Sequence, residues 1–85
     1  MAMKPQHILQ SFENLIHNLS IDLRYEKGDF IGGLCKVGNK DVLIVNNKLP
    51  VEGKIKLLAR ELNRLNLERI YIRPALRNII EGNNY

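Results

Sequence analysis

Tryptophan is absent from this chain, phenylalanine occurs twice, tyrosine three times and cysteine once, among 85 residues. The single cysteine, Cys35, excludes an intramolecular disulfide, so the composition does not call for an oxidising compartment. With so few aromatics, the core has to be assembled from Leu, Ile and Val. No stretch approaches the roughly 18 consecutive apolar residues that a bilayer crossing needs. The first twenty residues interrupt their apolar positions with Gln, Glu, Asn and His, where a signal peptide would not. The expected location is therefore the cytoplasm, with no membrane contact. Histidines are scarce too: His7 and His17 are separate and lie off the apolar face of their segment, which predicts surface residues. Gly32-Gly33 has neither a Gly-Lys-Ser/Thr run nor a helix directly after it, which excludes a phosphate loop. No Ser/His/Asp arrangement stands out.

What is present is ordinary globular composition. Hydrophobic residues make up 45% and charged residues 26%, which argues against disorder. Residues 1–85 are read as one small domain. A chain of this length buries only roughly 60–65% of the surface its unfolded form exposes, so stability is modest without self-association.

Periodicity sets out the elements. From Pro5, suited to a first helical turn, Ile8, Phe12, Leu15, Ile16 and Leu19 recur at three- and four-residue spacing and predict a helix over Pro5 to Leu19. Ile21, Leu23 and Tyr25 alternate with Asp22, Arg24 and Glu26 in the period of a half-buried strand. Lys27-Gly28-Asp29 is turn chemistry. Phe30 to Val37 reads as a second strand, in which Gly32-Gly33 marks a bulge or a close approach by another backbone or a ligand. Gly38-Asn39 is a two-residue hairpin loop. Val42 to Val45 is an unbroken apolar run, consistent with a central strand covered on both faces. Helix two is expected from Val51 to Leu65, with Val51, Ile55, Leu58, Ala59, Leu62 and Leu65 as its core seam. Glu68 to Ile72 reads as extended. A short last helix over Pro74 to Glu81 is stopped by Gly82, leaving Asn83-Asn84-Tyr85 as a frayed end. The expected fold is α+β, in the order α-β-β-β-α-α. Short connections predict a three-stranded antiparallel meander, packed against the N-terminal helix and the long second helix.

Charge is uneven. The net charge is +4, and between Lys48 and Arg77 eight cations stand against three acids. That permits an acidic partner, nucleic acid included.

The segment from Gly32-Gly33 through the strand ending in Asn46, then Leu49-Pro50 and the helix KIKLLARELNRL, resembles ImmA/IrrE-type zinc metallopeptidases over about Gly32 to Leu65. In that family the helix carries A-H-E-L-G-H; here it reads Ala59-Arg60-Glu61-Leu62-Asn63-Arg64. The resemblance implies a metal bound by two histidines four residues apart, with the Glu handling the water proton. Both ligand positions are arginines, Arg60 and Arg64, whose guanidiniums stay protonated and offer no lone pair. The sequence therefore predicts no metal, no cofactor and no catalytic residue. Glu61 is expected to be a solvated partner for a neighbouring Lys or Arg, since metal-free chemistry would require it to be buried in a cleft. Cys35 is expected to be a small buried hydrophobe.

Two readings of function follow. In the first, a non-catalytic interaction module presents Leu57, off the core seam, ringed by Lys56, Arg60 and Arg64 to a protein partner or a second copy. In the second, nucleic acid is bound with little specificity by that basic face together with Arg69, Arg73 and Arg77.

Overall fold

The computed structural model describes residues 4–82. The expected frayed end at 83–85 lies outside the described residues. Helix α1 spans Pro5–Asn18 with Pro5 in its first turn, and buries Ile8, Phe12, Leu15 and Ile16. Its end is a Schellman motif: the N–H of Ile21 donates to Ile16 O at 3.2 Å and that of Ser20 to His17 O at 3.0 Å. Ser20 takes φ 61°, the left-handed position where glycine is the usual residue. Ile16 and Ile21, both buried, make the apolar contact that accompanies such a cap.

Three strands follow, β1 (Asp22–Glu26), β2 (Gly32–Val37) and β3 (Lys40–Asn46), then α2 (Val51–Asn63) and α3 (Pro74–Ile80). The α+β class and the order α-β-β-β-α-α are as the sequence predicts. The sheet is not an antiparallel meander, however. Its strand order is β1-β3-β2, with β1 parallel to β3 and only β2–β3 antiparallel. The hairpin at Gly38-Asn39 forms, with Val37 opposite Lys40. Gly38 takes φ 64° at the first loop position, where a type II′ turn favours glycine.

The connection from β1 to β2 crosses the end of β3 instead of turning back beside β1. Asn46, only 7% exposed at the end of β3, holds it there. Its Nδ2 donates to Gly28 O at 2.9 Å and Phe30 O at 2.6 Å, and its Oδ1 accepts from Lys48 N at 2.9 Å. This one buried amide ties the crossing loop to the turn that enters α2.

One face of the sheet meets the helices. Leu43 and Val45 of β3 join Phe12, Ile16, Ile55, Leu58 and Leu62 in the core, while Val42 and Ile44 alternate to the opposite face. Tyr25 is half-buried on β1. Its hydroxyl donates to Glu13 of α1, and Lys54 Nζ lies 5.4 Å from the ring centroid. Residues 68–72, expected to be extended, pair with no strand: Leu67 and Ile72 are anchored in the core and the chain between them is irregular. No helix among the described residues is long and apolar enough to cross a membrane.

Candidate functional site

The face of α2 proposed from the sequence divides in two. Lys56, Arg60 and Arg64 are exposed, as their four-residue spacing predicts, but Leu57 is only 3% exposed. No apolar spot ringed by cations exists on this helix. The reason is that α2 is buried on more than one side. Ile55, Leu58, Ala59 and Leu62 form the predicted seam, and Leu57 with Glu61, one turn apart, forms a second buried stripe. That second stripe faces β2.

The glycine pair makes room for this contact. A Cβ at Gly32 would stand 2.1 Å from Ile44 O and 2.9 Å from Leu57 Cδ2, at φ 132°. A Cβ at Gly33 would stand 3.2 Å from Glu61 Oε1. The close approach anticipated at Gly32-Gly33 is therefore made on two sides, by the backbone of β3 at Ile44 and by the Leu57 and Glu61 side chains of α2.

Glu61 is not the solvated surface acid that the sequence suggests: it is 5% exposed. Its Oε1 accepts the Leu34 N–H at 2.8 Å. Ile31 O receives the Asn46 N–H from β3, so alternation turns the Leu34 amide to the outer side of β2, where no strand pairs. Glu61 thus satisfies a donor on a sheet edge, a position that otherwise invites pairing by another chain. Its Oε2 lies 3.5 Å from Arg64 Nη1 and 3.9 Å from Arg60 Nε. Two guanidiniums at the sheet edge balance a carboxylate that burial would otherwise leave uncompensated.

A metal centre of the type implied by the resemblance does not fit these residues. Arg60 and Arg64 supply no lone pair, and both Glu61 oxygens already face an amide or guanidinium donor. Among the described residues no three His, Cys, Asp or Glu side chains come together as ligands could.

The remaining predicted residues do not join this group. Arg77 is half-buried and donates from Nη2 to Leu67 O at 3.4 Å and Ile70 O at 3.1 Å, so it holds the irregular segment rather than facing a ligand. Arg73 is exposed beside α1, lining a cleft with Tyr71. Cys35 is exposed on β2, not buried.

Sequence reasoning missed the apolar surface that is present. Phe30, Ile31 and Val37 are exposed at 39%, 58% and 55%, all on β2 or its approach. Phe30, Ile31 and the glycine pair line an open groove of about 420 Å³ with Glu26 and Ile44. The unbroken apolar run of β3 was the available signal, since it placed apolar side chains on both faces of the sheet while the helices cover one. Comparison with protein-family models, curated proteins and solved structures finds no match for this chain.

Proposed function

We propose that this protein acts in the cytoplasm by contact rather than catalysis, as a degenerate metallopeptidase core that receives a protein partner on the β2 side of its sheet. The observation that carries this reading is where its exposed apolar side chains fall. Phe30, Ile31 and Val37 are three of the four large hydrophobic residues exposed among the described residues. They accompany an edge strand whose outer side pairs with no other strand. Arg60 and Arg64 lie on the same flank, drawn there by Glu61. An apolar ledge beside two arginines suits a partner segment with apolar side chains and neighbouring acids. The non-catalytic half of the reading is supported by Glu61, whose oxygens are engaged at the position where a peptidase needs a free base.

The test is the double variant Ile31→Asp, Val37→Asp, compared with wild type in affinity purification from the native cell and in sedimentation. Both sites are exposed, so the circular dichroism spectrum should not change. A partner, or a second copy, held by wild type and released by the variant is the expected result. Identical partners and identical mass for the two proteins would overturn the reading.

A further inference from the structure

We propose that the cleft between α1 and residues 71–76 binds a nucleotide, with its base stacked on Tyr71 and its phosphate held by Arg73. The cleft measures about 410 Å³, within the range of small-molecule sites. Leu15, Ile72 and Leu76 form its floor, and Ser11, Asn14, Asn18, Tyr71 and Arg73 are its polar lining. No acid lines it, so Arg73 gives it a net positive charge. Arg73 also makes no ion pair with a described residue, unlike Arg24, Arg60 and Arg64.

Tyr71 is 82% exposed, an aromatic ring held out in water by a backbone fixed on either side. Before it, Ile70 O is bound by the Arg77 guanidinium at 3.1 Å; after it, Ile72 is 6% exposed in the core. An exposed ring on an anchored backbone offers a face on which a flat partner can stack. Asn14 and Asn18, three and seven residues beyond Ser11 on α1, bring amides that can donate and accept, the Asn14 Oδ1 also accepting from Gln10 Nε2 at 3.2 Å, and so suit the edges of a base. Flat ring, anion and mixed hydrogen-bonding edge together describe a nucleotide, either free or as one unit of a single strand. None of these residues belongs to the β2 surface, so this site stands or falls independently of the contact function.

The test is a ¹⁵N-labelled titration followed by NMR at low salt, using adenosine 5′-monophosphate, adenosine, inorganic phosphate and an oligodeoxyadenylate decamer. The monophosphate should shift the amides of residues 11–18 and 71–76 and bind more tightly than adenosine or phosphate alone. Tyr71→Ala should weaken it by roughly 5- to 150-fold, and Arg73→Gln should reduce the salt dependence. Both side chains are exposed, and the spectrum of each variant shows directly that it is folded. A decamer binding more tightly per nucleotide than the monophosphate identifies single-stranded nucleic acid as the source, and equal or lower affinity per nucleotide identifies the free nucleotide; both uphold the site. Absence of shifts at 11–18 and 71–76, shifts confined to Lys56–Arg64, or unchanged affinity in Tyr71→Ala would overturn it.

Discussion

Glu61→Ala deletes the acceptor that satisfies the Leu34 amide on the outer edge of β2, and the size of the loss can be worked from what remains. The bond is 2.8 Å long, the side chain that makes it is 5% exposed, and the amide is left in a part-buried site on the sheet edge. A donor shielded from water without a partner costs about 1–3 kcal/mol, and loss of the one packed methylene, Cγ, adds about 1 kcal/mol. The guanidinium contacts add little. They lie at 3.5 and 3.9 Å, and the two arginine side chains are 71% and 59% exposed, so each contributes about 0–1 kcal/mol. Glu61→Ala should therefore destabilise by about 2–4 kcal/mol. Glu61→Gln keeps a carbonyl oxygen for the Leu34 N–H and should lose only about 1 kcal/mol. In a domain of this size 1 kcal/mol moves Tm by about 4–8 °C. Urea unfolding measures both losses, with the slope m unchanged, and hydrogen exchange at the Leu34 amide should quicken in the Ala variant far more than in the Gln variant. A neutral Glu61→Ala, or equal losses for Ala and Gln, would refute the reasoning.

Two further perturbations probe other joints. Ser20→Gly relieves a side chain held at φ 61° and should stabilise by about 0.5–1 kcal/mol in urea unfolding; destabilisation would contradict the helix-end geometry. The Tyr25 phenol is pushed far above its ordinary value, by burial first and then by the bond to Glu13 and its charge. A native value above the unfolded one means that folding favours the protonated phenol. Its contribution is complete below about pH 10 and is lost as pH rises above 10 toward the folded value. Tyr25→Phe should flatten that alkaline decline, and ultraviolet titration should show one phenol that ionises only as the protein unfolds.

The identity of α1, β1 and α2 was legible in the sequence because each has a single clear period, whereas β3 is marked by an unbroken apolar run and the alternation of Ile70 and Ile72 pointed to an extended segment that is irregular. Pro5 and Pro74 marked helix starts, and Gly38-Asn39 marked the hairpin. Strand order was not legible by the rule that short connections join neighbours, because the five residues from Lys27 to Ile31 are held across the end of β3 by Asn46, a tertiary contact. The content of the strands pointed the right way: Val42 to Val45 is apolar on both faces, whereas β2 begins with two glycines and could not serve as a buried centre. Leu57 and Glu61 were misplaced for a related reason. A helical wheel with one apolar stripe assumes one neighbour, and α2 has β2 on a second side, brought close by Gly32. Arg77 illustrates the converse, a cation that counts toward charge but is spent on the carbonyls of Leu67 and Ile70.

Whether residue 61 braces the sheet or performs chemistry is decided most directly by titrating the purified protein with zinc under calorimetry while following hydrolysis of an unstructured polypeptide, for wild type and Glu61→Gln in parallel. Guanidiniums at positions 60 and 64 predict no stoichiometric zinc binding, and no hydrolysis that distinguishes the two proteins. One tightly bound equivalent of zinc, together with hydrolysis that disappears in Glu61→Gln, would contradict the reading of this chain as a scaffold without chemistry.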